Sequence, residues 1–183
     1  GRFAGDALTT GSHNTAIGYE ALGSEDTHGR NVAIGYFALG NLNAGTDAYN
    51  IAIGHSAGAA ITTGVRNTLI GGLAGDALTS GSYSVAIGYE ALSSEDDGNE
   101  NTAIGYRALK DLDAGANAAN VAIGYLCGEN LTTGADNTIV GSYAGDALTT
   151  GSYNVAIGKN ALGSEDAHGR NVAIGRSALA NQD

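Results

Sequence analysis

The sequence predicts an all-β fold, a parallel β-solenoid or β-roll of 17- and 19-residue coils. Three observations predict it: a five-residue block of strand-like alternation that recurs along the chain, a glycine that closes every block, and a spacing too short for a helix between blocks. The block reads Asn-[Thr/Val]-Ala-Ile-Gly with small variations and starts at Asn14, Asn31, Asn50, Asn67, Ser84, Asn101, Asn120, Asn137, Asn154 and Asn171. Its intervals run 17, 19, 17 and 17 residues and then repeat. A 70-residue super-repeat of four coils therefore lies above the single coil, over 14–83, 84–153 and a partial 154–183. The 183 residues read as one solenoid segment of about ten coils, excerpted from a longer polypeptide.

Within each block the second and fourth residues are β-branched, as in Val32 with Ile34 or Val121 with Ile123, and the third is usually Ala. Period-two alternation that stops at a Gly suits a short strand ending at a corner, where a Cβ would clash. A βαβ unit needs about 30 residues, so coils of 17 must stack directly on one another. Ten coils at a rise of about 4.8 Å give a rod of roughly 48 Å.

Parallel stacking aligns identical residues, so Asn14, Asn31, Asn50, Asn67, Asn101, Asn120, Asn137, Asn154 and Asn171 are expected to form an amide ladder. The fourth-position Ile column is expected to be a continuous core. The eighth position is Ala except for Cys127, so only small side chains fit there. The twelfth is apolar in Leu42, Ile61, Leu78, Leu112, Leu131 and Leu148, but Glu25, Glu95 and Glu165 break the rule. In those coils Leu22, Leu92 and Leu162 at the ninth position are expected to fill the core. The opposite, Ala and Gly face of the strand is smooth and narrow, and its burial against other copies of the chain predicts homo-oligomerisation.

Composition narrows the function. Thirty glycines, no proline and no tryptophan depart from ordinary globular usage. A net charge of −11 opposes binding to nucleic acid or anionic lipid. A lone cysteine offers no internal disulfide, and no apolar run is long enough to insert in a membrane as a helix.

The blocks NTAIGYEAL at 14–22, NVAIGYFAL at 31–39, SVAIGYEAL at 84–92 and NTAIGYRAL at 101–109 resemble repeats of phage tail fibres and related adhesins. SVAIG and NVAIG also resemble the head repeats of trimeric autotransporter adhesins. The resemblance covers essentially the whole chain. It implies a left-handed roll assembled as a homotrimer, an extracellular place on a virion tail fibre or a bacterial surface, and attachment to a cell-surface receptor or glycan. The 17- and 19-residue coils are longer than those usual in autotransporter heads and favour the phage-fibre-like source.

Several patterns carry a chemical reading beside a plainer one. Gly54, Ser56 and Gly58 spell the GxSxG of a hydrolase nucleophile elbow, but Ser56 occupies an ordinary variable corner position and no helix follows, so no enzyme is expected. The 19-residue coils carry Asn41, Asn43 and Asp47 in one and Asp111, Asp113 and Asn117 in the other, alternate oxygens about a Gly that resemble an incomplete calcium loop. They are also ordinary turn residues. The reading is therefore no cofactor, with calcium as the alternative.

The acidic corners at Glu25, Glu95 and Glu165, with their Asp neighbours, read as solvated edges that resist lateral aggregation, with Arg30 and Arg170 near two of them. His13, His28, His55 and His168 lack metal-ligand spacing. Tyr19, Tyr36, Tyr89, Tyr106 and Tyr125 share the sixth position; outward they would stack on sugars, and inward, the favoured reading, they would pack the corner. Asn130 to Thr132 form a glycosylation sequon expected by chance, and the Thr pairs at 62–63, 132–133 and 149–150 do not form the flat lattice of an ice-binding face.

Overall fold

A computed structural model describes residues 1–25, 27–115, 118–164 and 167–180. Ten strands follow in chain order: β1 (Thr15–Ile17), β2 (Val32–Ile34), β3 (Ile51–Ile53), β4 (Thr68–Ile70), β5 (Val85–Ile87), β6 (Thr102–Ile104), β7 (Val121–Ile123), β8 (Thr138–Val140), β9 (Val155–Ile157) and β10 (Val172–Ile174). They form one sheet in sequence order, every neighbouring pair parallel. Equivalent residues face each other, as in Val85 with Thr102 and Ile87 with Ile104. The molecule is a β-solenoid, and no helix occurs among the described residues.

Each strand is three residues long because the block Gly ends it. Gly88, for example, adopts φ 142°, and a Cβ there would lie 2.2 Å from the Gly105 carbonyl oxygen of the next coil. Glycine alone permits that approach. The same column admits no side chain from Gly18 to Gly158, each facing the backbone of the following coil.

Past the corner, the chain uses left-handed backbone at non-glycine residues, a feature the sequence reading did not anticipate. Glu90, Leu92 and Glu100 have φ 52°, 55° and 62°, and their counterparts in other coils repeat these values. Such residues cost roughly 1–2 kcal/mol each. The return is a ladder that continues outside the strands: Leu92 N–H donates to the Ala108 carbonyl at 3.0 Å, and Glu100 N–H to Ser82 at 3.1 Å. The turned peptides aim their donors along the rod, so the backbone is paired around much of the coil.

The core inverts the expected arrangement. The third-position column, Ala33, Ala52, Leu69, Ala86, Ala103, Ala122, Ile139, Ala156 and Ala173, is enclosed, together with the eighth-position Ala column and the apolar ninth and twelfth positions. The Ile column instead faces outward, with Ile17 56%, Ile123 39% and Ile174 66% exposed. The coil is flat and thin, so its inner strand face meets other side chains at close range and accepts mainly Ala. Where Leu69 and Ile139 intrude, Gly replaces Leu at the ninth position: a Cβ on Gly75 would lie 2.9 Å from Leu69 Cδ2, and one on Gly145 3.1 Å from Ile139 Cγ2. Gly58 and Gly128 of the preceding coils give way as well, with a Cβ on Gly58 2.8 Å from Leu69 Cδ1, so volume is exchanged between the third position and the ninth positions of its own and the preceding coil. The smooth Ala and Gly face expected to meet other chains is the interior of this one.

Two acids expected at solvated corners are also inside. Glu25 and Glu95 are fully buried in the twelfth-position column. Glu95 accepts the Gly98 N–H at 2.9 Å and the Ala114 N–H at 3.3 Å, and Glu25 accepts the His28 N–H at 3.1 Å. The loop that follows leaves backbone donors pointing inward, and a carboxylate satisfies them where Leu cannot. Glu165 lies outside the described residues. Leu22, Leu92 and Leu162 fill the core beside these acids, as do Leu39 and Leu109 in coils that lack them.

Candidate functional site

The outward face of the sheet is the largest unsatisfied feature of the chain. It is made of the second and fourth residues of every block, the first and third of each strand, all β-branched: Thr15 to Val172 in one column and Ile17 to Ile174 in the other. Strand alternation puts them there because the third residue is turned inward. The strip runs the length of the rod with no charged residue in either column, roughly 48 Å by 10 Å from strand spacing and rise. Thr15, Thr68, Thr102 and Thr138 interrupt one column, and the other is Ile except for Val140, so the strip is uncharged along its length and most apolar along the Ile column.

Aromatic columns border it. The sixth-position tyrosines point outward, Tyr36 51% and Tyr125 47% exposed, contrary to the corner-packing expectation. They stack on one another along the rod: Tyr19 on Tyr36 at 5.3 Å between centroids, Tyr36 on His55 at 5.1 Å, Tyr89 on Tyr106 at 5.8 Å and Tyr106 on Tyr125 at 5.3 Å. Both ring faces of Tyr36 and of Tyr106 are therefore taken. Ring edges and hydroxyls remain to meet solvent, a geometry poorly suited to face-on stacking of a sugar.

A second column, just before the Asn positions, pairs cation with ring over Arg30 to Tyr83 and again at Tyr153 and Arg170, with Glu100, Ala119 and Asp136 between. Arg30 lies 5.4 Å from the Tyr49 centroid, Arg66 5.4 Å from Tyr83, and Arg170 5.7 Å from Tyr153. Sequence reading missed this pairing because its partners lie 17 or 19 residues apart. Arg30 also pairs with Asp47 at 2.8 Å, not with the acids at Glu25, and its guanidinium holds the Asp47 carboxyl below the usual carboxylate range.

Inside, the Asn column joins coil to coil through the backbone. Asn31 Oδ1 accepts the Asn50 N–H at 3.0 Å, and Asn50 Nδ2 donates to the Gly64 carbonyl at 2.8 Å. Asn120 with Asn137 and Asn137 with Asn154 repeat the first bond, at 2.9 Å each. Ser84 stands in the column with a hydroxyl that accepts the Asn101 N–H at 3.2 Å, and Asn101 Nδ2 is buried without a partner among the described residues.

The calcium candidates are not gathered. Asn41 donates to the Ala59 carbonyl at 2.9 Å, Asp47 is engaged by Arg30, and Asp111 pairs with Lys110 at 2.8 Å. Asn43 is exposed, and Asn117 lies outside the described residues. Asp113 instead joins Glu95 and Asp96, with one carboxylate oxygen of each within 4.8 Å of the others. Burial, then the charges of Asp113 and Asp96, raise the Glu95 carboxyl against the lowering by its two N–H donors.

The remaining motifs resolve into the repeat. Ser56 has φ 54°, like Phe37 before it, and its N–H donates to Tyr36 at 2.8 Å. Asn130 Nδ2 donates to the Asp146 carbonyl at 2.6 Å, and Thr132 Oγ1 to Thr149 at 2.9 Å. Burial pushes the Cys127 thiol up to about 12, and it donates to the Ile139 carbonyl at 3.2 Å. No helix is long and apolar enough to cross a membrane among the described residues. No family model matches the chain, and neither a curated protein nor a solved structure is significantly similar to it.

Proposed function

We propose that the chain is a structural and adhesive segment of an extracellular homotrimeric fibre, resembling a phage tail fibre or a bacterial adhesin head, which acts by stiffness and multivalent display and not by catalysis. One observation carries this reading: the uncharged β-branched strip that ten strands leave facing outward. Its period equals the coil rise, so only a surface with the same rise matches it along its whole length, and another copy of this chain is such a surface. The motif blocks such as NVAIGYFAL at 31–39 supply the number three, by resemblance. A rod held by backbone ladders raises the local concentration of whatever it presents at a surface.

Sedimentation or light scattering is expected to give three times the 18.2 kDa of one chain. Ile87→Asp with Ile104→Asp, which puts charge in the centre of the strip, is expected to give monomers that keep a β-type circular-dichroism spectrum. A wild-type monomer at all concentrations would overturn the reading.

A second reading, divalent-cation binding, is favoured only at Glu95, Asp96 and Asp113. It predicts that calcium raises the melting temperature, and that EDTA or Asp113→Asn removes the rise. A melt unchanged by EDTA leaves the shaft reading alone.

A further inference from the structure

A cleft near the start of the rod is lined by residues whose counterparts seventy residues on form ion pairs. A cavity of about 310 Å³ opens between the first coils, lined by Phe3, Asp6, Glu20, Phe37, Gly40 and Asn41 among others. These include both phenylalanines of the chain. Seventy residues on, the equivalent positions are Leu73, Asp76, Glu90, Arg107, Lys110 and Asp111. There Arg107 Nε bonds Glu90 Oε2 at 2.7 Å, its Nη1 approaches Glu129 at 3.7 Å, and Lys110 bonds Asp111 at 2.8 Å.

In the first copy Phe37 and Gly40 replace Arg107 and Lys110, and Ala59 and Asn41 replace their partners Glu129 and Asp111, so Glu20 is the one acid of that network kept without its cation, with Asp6 beside it in the cleft. Among the described residues neither of these acids forms a salt bridge. Glu20 raises the neighbouring Tyr19 hydroxyl as Glu90 raises that of Tyr89, and that closeness does not keep Glu90 from holding Arg107. The Phe3 ring already shows the chemistry the cleft offers, since the Arg2 guanidinium lies 4.6 Å from its centroid. Aromatic faces beside carboxylates favour a planar, weakly hydrated cation.

We propose that this cleft is a binding site for a guanidinium group supplied from outside the chain, held by Glu20 and Asp6 between the Phe3 and Phe37 rings. The ligand provides to Glu20 the positive charge that Arg107 supplies to Glu90 in the second copy. A free alkylguanidine and an arginine side chain of a partner protein share that chemistry. The proposal is independent of the assembly state, because all its residues belong to one chain.

Incorporation of 4-fluorophenylalanine gives two fluorine resonances, both inside the cleft. Titration with argininamide and with an acetylated, amidated Gly-Arg-Gly peptide is expected to shift both, whereas citrullinamide, of the same shape but neutral, is expected to leave them in place. Tighter binding of the peptide identifies a protein partner, and tighter binding of argininamide a small molecule. Glu20→Gln is expected to weaken binding roughly tenfold through loss of a charge-assisted bond. Phe37→Arg with Gly40→Lys, which rebuilds the second copy's cations, is expected to abolish the shift of the remaining Phe3 resonance. Because Glu20 is a partly exposed side chain whose amide analogue preserves shape, Glu20→Gln decides the matter if the double variant does not fold. Equal response to citrullinamide, no response at low salt, or unchanged affinity in Glu20→Gln would overturn the proposal.

Discussion

The two faces of the same strands differ in what they tolerate. The inner column holds Ala almost throughout, and admits Leu69 and Ile139 only where Gly58, Gly75, Gly128 and Gly145 give way around them. The outer column accepts Thr, Val and Ile in turn at its second position with no compensating change elsewhere. The inside is limited by volume and the outside by complementarity to whatever covers it. Hydrophobicity alone therefore ranks the two faces in the wrong order.

The largest effect is expected inside. Leu69→Ala should cost about 2–5 kcal/mol of unfolding free energy in urea, because neighbouring Gly58 and Gly75 cannot fill the space. Adding Gly75→Leu recreates the Ala86 with Leu92 pairing of the next coil, at a φ that Leu92 already adopts, and should recover more than half of the loss. Failure of that rescue would place most of the lost volume at Gly58 of the preceding coil.

A smaller effect is expected outside. Against the monomeric Ile87→Asp with Ile104→Asp variant, replacing the further outward Ile34 by Ala should change stability by under about 1 kcal/mol, because a half-buried side chain loses only part of its transfer energy. A loss as large as that of Leu69→Ala would mean that the outer column is enclosed within a single chain.

The smallest concerns the charged exception of the interior. Burial raises the carboxyls of Glu95, Asp76 and Asp146 above the ordinary range. The folded chain therefore holds protons that the unfolded chain releases. The destabilisation is absent below the unfolded carboxylate pKa of about 4, grows as pH rises through the raised folded values, and is complete above them. The melting temperature should thus be higher in mildly acidic buffer than at neutral pH, and Glu95→Gln should flatten that slope. A slope of opposite sign would place the controlling groups among the exposed ion pairs such as Arg30 with Asp47.

Much of the architecture was legible because repetition converts local pattern into long-range contact. Equal spacing of the Asn blocks predicts which residues stack, and Asn31, Asn50 and Asn67 do bond in sequence. The Arg–Tyr pairs were missed because their direction depends on left-handed backbone at Arg30, Tyr49, Arg66 and Tyr83, for which L-amino acids carry no clear signal, and the outward Tyr ladder was the less favoured of two readings that period and spacing allow equally. Glu95 was misplaced for a related reason. A carboxylate reads as surface until the N–H groups of Gly98 and Ala114 that need it are located.

By itself the sequence determined the coil length, the parallel register, the corner glycines and the absence of room for helices, since each follows from periodicity and chain reach. Only the tertiary structure decided which side of each strand is enclosed. Alternation with period two is satisfied equally well by either orientation, and the choice falls to the cross-section of the coil: packed against the leucines opposite, it leaves room for a methyl group and sends isoleucine outward.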